Sequence, residues 1–136
     1  MRLKNDPLNC PCDSQRLYKN CCAIAHHHIN DVNTAQQLMR SRYSAFVMGD
    51  IDYLQRSHHS SKRPSKKEAR EMKQWTQSVE WVKLEVLQTS HGLKDDLTGT
   101  VAFKAFYMEN GRLEIIHEHS RFCKENGHWV YLDALV

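Results

Sequence analysis

The amino-acid sequence predicts an α+β protein in which three helices precede and pack on a curved, four-stranded antiparallel sheet, after a short cysteine-rich segment. Apolar residues recur at helical spacing between residues 33 and 78, and from residue 79 they alternate with a period of two. Two Asn–Gly pairs, at 110–111 and 126–127, separate the last three alternating segments, and this dipeptide is a strong hairpin signal. Helices followed by hairpin-linked strands are typical of the α+β class.

Length and composition favour a single globular domain with a small appendage. The chain has 136 residues, of which 40% are hydrophobic and 26% charged, with a formal net charge of +3. These values are unlike those of disordered or fibrous chains. The first nine residues, MRLKNDPLN, lack the apolar stretch of a secretory signal. We therefore expect a cytoplasmic protein with no membrane span, in which cysteine thiols stay reduced.

Four of the five cysteines lie in the segment CPCDSQRLYKNCC, residues 10–22. Disulfides within either close pair would be strained, whereas Cys10–Cys21 or Cys12–Cys22 bridges are sterically feasible but need an oxidising compartment. A redox site would more often read C-x-x-C beside a βαβ unit, and the sequence shows no such unit. Four thiolates arriving from two short arms suit tetrahedral zinc. We predict one structural zinc ion per chain, bound by Cys10, Cys12, Cys21 and Cys22.

The predicted zinc knuckle and its linker occupy residues 1–30, and the main domain occupies residues 31–136. Because a loop this short cannot bury a hydrophobic core, the metal would supply the free energy that folds the knuckle, on the order of 10 kcal/mol. We therefore expect the knuckle to unfold independently of the main domain, with Cys123 free in a strand. The run His26–His28 either replaces one cysteine as a ligand or, as we favour, forms a solvated linker. Nearby cations would offset the charge of a zinc tetrathiolate: Arg2, Lys4, Arg16 and Lys19.

Capping residues bound the three predicted helices. The first starts at Asn33 or Thr34 and ends at Gly49, the second starts at Asp50, and the third runs through SKKEAREMKQWTQ. In the first helix Arg42 falls inside the apolar stripe, whereas Arg40 points away from it and is expected to behave as an ordinary surface residue. The stripe itself consists of Ala35, Leu38, Met39, Tyr43 and Phe46.

Two-residue turns at both Asn–Gly pairs would fix the register of the last three strands. They pair Glu109 with Arg112 and, if the second ladder continues without interruption, place Ser120 opposite Asp133. The more apolar face then carries two carboxylates, Glu118 and Asp133, while His117 and His119 fall on the other face. The four strands are predicted in VEWVKLEVLQ, TGTVAFKAFYME, RLEIIHEHSRFCKE and HWVYLDALV.

The buried charges predict an ion pair inside the domain. Isolated charges are costly to bury, so we expect the Arg42 guanidinium to meet Glu118, Asp133 or both. The interpretation we favour is an ion pair that only locks helix to sheet. The alternative is the polar floor of an apolar pocket that binds a small molecule or acts as acid and base. The candidate set comprises Arg42, Tyr43, Glu118, Ser120, Tyr131 and Asp133.

Three stretches of the sequence resemble known protein families. CPCDSQRLYKNCC is similar to the SEC-C zinc motif, named for the C-terminus of the translocation ATPase SecA, although Asp13 and Gln15 stand where the motif usually has glycine. LMRSRYSAFVMGDIDYL and EHSRFCKENGHWVYLD resemble the YchJ family of small bacterial SEC-C proteins. This resemblance implies a cystatin-like cone of the nuclear transport factor 2 (NTF2) type and a bacterial cytoplasmic protein with zinc at the four cysteines.

The function favoured at this point is that of a non-enzymatic accessory protein whose knuckle docks on a protein or ribonucleoprotein. The comparable knuckle of SecA engages the export chaperone SecB and the ribosome, so the resemblance implies a partner linked to export or translation. The alternative is a small-molecule binder or acid–base enzyme that uses Glu118 and Asp133. Residues 56–73 hold seven Lys or Arg and two Asp or Glu, but without interleaved aromatic residues we do not expect direct nucleic-acid binding.

Overall fold

The computed structural model describes residues 8–135, and it confirms the predicted α+β architecture. A four-stranded antiparallel sheet with the order β1-β2-β3-β4 follows the helices. The strands are β1 (Glu80–His91), β2 (Thr98–Glu109), β3 (Arg112–Glu125) and β4 (His128–Ala134). The helices are α1 (Cys22–His27), α2 (Ala35–Met48), α3 (Ile51–Arg56) and α4 (Lys66–Ser78), with short 3-10 turns at Tyr18–Asn20, Ile29–Asp31 and Ser60–Lys62.

Local capping sets the ends of the three predicted helices. Thr34 and Gln37 form a capping box at the start of α2, and Gly49 ends that helix in the left-handed region with φ 70°. Asp50 accepts the Tyr53 amide at the start of α3, and a second capping box, from Ser65, starts α4. The sequence places these three helices correctly.

Helix α1 corrects one sequence interpretation. The run His26–His28 was expected to be a solvated linker, but His26 is buried within the last turn of α1, which packs on α2. His27 and His28 are exposed. Because α1 spans only six residues, its apolar periodicity is too short to be recognised in the sequence.

The first hairpin has the predicted register, and the second departs from it. Glu109 pairs with Arg112, and the ladder runs without interruption to Val101 and Ser120. In the second hairpin the register shifts between Arg121 and Phe122, so that Arg121, not Ser120, lies opposite Asp133. Such a bulge adds one residue to a strand and redirects the side chains beyond it. The predicted Ser120–Asp133 pair is therefore wrong.

The core lies between α2 and the sheet, and it continues into the cysteine segment. Leu38, Tyr53 and Trp129 are fully buried in one apolar cluster that also contains Cys10 and Cys12. The knuckle is tied to the domain by polar contacts as well. The Leu84 amide of β1 donates to Asp13 Oδ2 at 2.8 Å, and Cys10 Sγ lies 3.5 Å from Ser44 Oγ on α2. Residues on both sides of the predicted domain boundary near residue 30 thus belong to the same hydrophobic core.

Between residues 8 and 135, the helices are all too short or too polar to cross a bilayer.

Candidate functional site

Two regions of the structure contain clusters of chemically reactive side chains: the cysteine cluster and a cavity inside the cone. The cluster is built by a short hairpin-like loop and the start of α1. Asn9 and Leu17 form an isolated antiparallel bridge, and the Cys10 amide donates to the Arg16 carbonyl at 2.9 Å. Between them Asp13 and Gln15 adopt φ values of 64° and 67°. The turn that usually uses glycine forms here with two non-glycine residues in the left-handed region.

The four thiols converge on one point. The sulfur atoms of Cys10, Cys12, Cys21 and Cys22 all lie within 4.8 Å of one another, with Cys12 and Cys21 3.6 Å apart. In a tetrahedral site with zinc–sulfur bonds of ~2.3 Å, the edges of the sulfur tetrahedron are about 3.8 Å long. Cys10, Cys12 and Cys22 are buried, and none of the four forms a disulfide. This arrangement could hold a metal ion.

Hydrogen bonds among the four thiols raise the pKa values of two of them and lower those of the other two. Bonds from Cys10 lower the pKa of Cys12 to about 6 and lower that of Cys21. The same network raises the pKa values of Cys10 and Cys22. Four neighbouring thiolates repel one another, so all four ionise together only when a bound cation offsets their charge.

No histidine joins this cluster. His26 Nε2 lies 2.8 Å from the Ser41 carbonyl oxygen and therefore donates to it, which leaves Nδ1 to accept from the Tyr18 hydroxyl at 2.6 Å. Both ring nitrogens are thus occupied, and burial lowers the pKa of the ring. Of the cations expected near the cluster, Arg16 lines a groove beside Cys21, Lys19 lies in the 3-10 turn before it, and Arg2 and Lys4 lie outside the described residues.

The second place, which we call the cone pocket, is a cavity of about 330 Å³ between α2, α4 and the sheet. Most of its wall is apolar or aromatic, and its polar end carries Arg42, His58, Glu118, Ser120 and Tyr131. The described residues that line it are Met39, Arg42, Tyr43, Phe46, His58, Met72, Trp75, Trp81, Phe103, Ala105, Ile116, Glu118, Ser120, Phe122 and Tyr131.

Five of the six side chains predicted to form the pocket line it, and Asp133 does not. Asp133 accepts from Arg121 Nε at 2.7 Å and from Lys62 Nζ at 2.7 Å on the outer surface. These bonds, Arg121 first, lower the pKa of Asp133. The bulge in the second hairpin turns the carboxylate to this side, where a charge is less costly to hold than inside the cone.

The predicted ion pair of Arg42 is also not formed. Its Nη1 donates to the Leu54 carbonyl at 2.9 Å and to Ser57 Oγ at 2.7 Å, and the guanidinium carbon lies 4.8 Å from the centre of the Tyr131 ring. Burial lowers the pKa of Arg42 to about 10. Among the described residues no carboxylate forms an ion pair with it.

Glu118 is satisfied by neutral donors instead. Its Oε2 accepts from Ser120 Oγ at 2.5 Å and from the Tyr131 hydroxyl at 3.1 Å. Burial, followed by the charge of Glu118, raises the pKa of Tyr131. The phenol therefore stays protonated and remains a donor at neutral pH.

Sequence reasoning missed His58 and the partners of Arg42. Residues 57–59 run beside β4: the Tyr131 amide donates to the Ser57 carbonyl, and the His59 amide donates to the Tyr131 carbonyl, each at 2.8 Å. This pairing brings Ser57 and His58 to the polar end of the pocket. No periodic or spacing signal marks such an addition to a sheet edge in the sequence.

Comparison with known proteins assigns the family. A sequence model of the YchJ middle NTF2-like domain matches residues 34–134. The chain belongs to the YchJ-like family. A UPF0225 protein of Vibrio parahaemolyticus is 43% identical over 126 residues, which cover 93% of this chain and 74% of the relative. A UPF0225 protein of Streptomyces coelicolor is 40% identical over 125 residues, which cover 92% and 93% of the two chains.

Two solved structures of SEC-C motif containing proteins have the same fold. A SEC-C motif containing protein from Rhodopseudomonas palustris, determined in solution, superposes with a TM-score of 0.81 at 28% identity, covering 93% of this chain and 96% of its own. A second SEC-C motif containing protein, from Psychrobacter arcticus, shares the fold with a TM-score of 0.76 at 24% identity, covering 100% of this chain and 85% of its own.

Proposed function

We propose that this protein is a non-enzymatic cytoplasmic accessory protein in which a zinc ion at Cys10, Cys12, Cys21 and Cys22 stabilises a surface for docking on a partner. The observation that carries the proposal is the convergence of four thiols within 4.8 Å, three of them buried. A closed set of four sulfur ligands leaves no coordination position for a substrate. Sulfur ligands in tetrahedral arrangement favour zinc over magnesium or calcium. The metal is therefore structural.

Metal content tests the first half of the proposal. Tag-free protein purified under reducing conditions should contain about one equivalent of zinc, and Cys12→Ser should lose it, because three thiolates bind zinc more weakly than four. Cys123→Ser is the matched control, since Cys123 lies in β3 away from the cluster, and it should keep its zinc. Less than about half an equivalent in the wild type, or loss of zinc in the control, would overturn the assignment.

The docking surface we propose is a shallow groove beside the metal ligands. Arg16, Ile24 and Arg40 line it together with the exposed edge of Cys21, and Asp31 is its one acidic residue among those described. Ile24 is 47% exposed. A groove with two arginines and an exposed aliphatic side chain suits a protein segment that carries an acidic and an apolar residue. The resemblance to the SecA knuckle makes an export chaperone or a ribosomal protein the kind of partner we expect.

Binding to purified partners tests the second half. Zinc-loaded protein should bind purified SecB or sediment with purified ribosomes, and Arg16→Glu or Ile24→Asp should weaken that binding by about tenfold or more without loss of zinc. Lys67→Glu, an equal charge change on the exposed face of α4, should leave binding unchanged. An equal loss in the Lys67 variant would point to general electrostatic attraction, and binding to neither partner would contradict the proposed export or translation link.

The cone pocket supports a second candidate function, the binding of a small molecule. A cavity of about 330 Å³ beside Glu118 falls at the lower end of the volumes of ligand sites. Since Asp133 lies outside it, acid–base chemistry would have to use Glu118, Tyr131 and His58. We favour binding over catalysis, because the Glu118 oxygen that faces Ser120 and Tyr131 already accepts two hydrogen bonds.

A further inference from the structure

The Arg42 guanidinium is a buried cation whose hydrogen-bonding capacity is only partly used. The side chain is 8% exposed and lines the cone pocket. Both of its hydrogen bonds leave from Nη1, to Leu54 and Ser57. Among residues 8–135 no acceptor takes the protons of Nε or Nη2, and the neighbouring Tyr131 ring contributes only its π face. A cation held in this way costs free energy unless an anion reaches it.

The two carboxylates that the sequence placed near Arg42 do not complete the site. Glu118 engages Ser120 and Tyr131, and Asp133 is held outside by Arg121 and Lys62. Among the described residues that line the cavity, Arg42 is also the sole lysine or arginine. The polar end of the pocket therefore offers two unused donor groups of one guanidinium, with a carboxylate of the protein near by.

Much of the remaining lining of the pocket is aromatic. Trp75 and Trp81 meet edge to face with ring centres 5.6 Å apart, and Trp81 stands in the same way against Tyr43 at 5.8 Å. Their indole nitrogens are held in place, Trp75 by Glu109 and Trp81 by the Thr76 carbonyl. Phe46 and Met72 complete this wall. Such a wall favours a flat or branched apolar group.

We propose that the cone pocket binds a small organic monocarboxylate, with its carboxylate on Nε and Nη2 of Arg42 and its apolar body against Trp75 and Trp81. A planar carboxylate matches the fork of a guanidinium. A phosphate dianion carries twice the charge of a carboxylate, so one guanidinium would not balance it and Glu118 would repel it more strongly. The proposal rests on the second candidate function, ligand binding in the cone, and is independent of the metal centre.

A matched pair of probes tests the assignment on the zinc-loaded 136-residue chain. We would titrate 3-phenylpropionate and its uncharged amide, and follow the fluorescence of the pocket tryptophans and the heat of binding. The acid should bind saturably, and the amide at least about tenfold more weakly, equivalent to about 1.4 kcal/mol. In Arg42→Gln this preference should disappear, whereas Arg70→Gln, on the exposed face of α4, should keep it.

A second variant keeps the test valid if Arg42→Gln fails to fold. Trp75→Leu removes part of the apolar wall only, so it should weaken the acid and the amide by the same factor and preserve the preference for the acid. Equal affinity of the wild type for acid and amide would overturn the carboxylate assignment but leave the pocket as a binding site. Absence of saturable binding by the acid would overturn both, and tighter binding of phenyl phosphate would replace the carboxylate with a phosphate ligand.

Discussion

Arg40 on α2 donates from Nη1 to the backbone carbonyl oxygen of Cys12 at 2.7 Å, and it thereby ties the main domain to one arm of the cysteine cluster. Its Nε donates to Gln36 one helical turn earlier, at 3.2 Å, which orients the guanidinium toward the knuckle. The sequence interpretation of Arg40 as an ordinary surface residue is therefore wrong. The helical wheel places Arg40 outside the apolar stripe of α2, but it does not show that a separate segment packs there.

Loss of the Arg40 side chain should weaken both the knuckle and the whole fold. Hydrogen bonds to charged groups contribute about 1.5–3 kcal/mol, so Arg40→Met should lower the free energy of unfolding by about 1–2 kcal/mol. It should also speed the transfer of the proposed zinc ion to a chromophoric chelator. Urea unfolding and the rate of chelator colour measure the two effects. Arg70→Met, on α4, should change neither the free energy of unfolding nor the rate of zinc transfer appreciably. Identical behaviour of the two variants would show that the Arg40 contact contributes nothing.

The two left-handed residues in the cysteine loop should respond differently to glycine. Gln15 has φ 67°, is exposed and makes no side-chain hydrogen bond within the described part of the chain. Gln15→Gly should therefore raise stability by about 0.5–1 kcal/mol through relief of strain. Asp13 has a similar φ, but its carboxylate accepts the Leu84 amide, and Asp13→Gly should lose about as much as it gains. Thermal unfolding of the two variants checks this; a gain for Asp13→Gly above that for Gln15→Gly would contradict it.

Local signals were sufficient for most of the fold, and nonlocal contacts account for the errors. Caps at Thr34 and Ser65 and turns at the two Asn–Gly pairs depend on a few adjacent residues, so the sequence indicates them directly. The thiol cluster was also predictable, because both arms lie within thirteen positions. The bulge at Arg121–Phe122 and the pairing of Ser57 with Tyr131 depend on residues far apart in sequence, and no local pattern encodes either. The positions of Asp133 and of the Arg42 partners follow from these two features.

A double-mutant cycle should show that Arg42 and Asp133 are energetically independent. Since Asp133 contacts Arg121 and Lys62 on the surface, the effects of Arg42→Met and Asp133→Asn should add to within about 0.3–0.5 kcal/mol. The cycle of Arg121→Met with Asp133→Asn should instead reveal a coupling of about 0.2–1 kcal/mol, which is the usual range for exposed pairs. Urea unfolding at neutral pH and low salt measures both cycles. Strong coupling between Arg42 and Asp133 would instead support the register without a bulge, in which Asp133 faces the inside of the cone.

Protonation of His58 should make the stability of the folded protein depend on pH. Burial of the ring, followed by the charge of Arg42, lowers its pKa from 6.5 to about 4, and the ring stands edge-on to Tyr131 with centres 5.1 Å apart. Between these two pH values the unfolded chain binds a proton that the folded protein does not, so stability falls as pH decreases from 6.5 to about 4.

Replacement of His58 should remove part of this loss. Because the His58 side chain is only partly buried, we expect its share to be about 1–2 kcal/mol rather than the full value of the shift. Unfolding free energies of His58→Gln should therefore fall less steeply with acid than those of the wild type, while the two proteins should have parallel curves above pH 6.5. His27→Gln, at an exposed position of α1, should follow the wild type throughout. Since burial also lowers the pKa of His26, some acid sensitivity should persist in His58→Gln, and its complete disappearance would mean that the His26 ring is not buried as described.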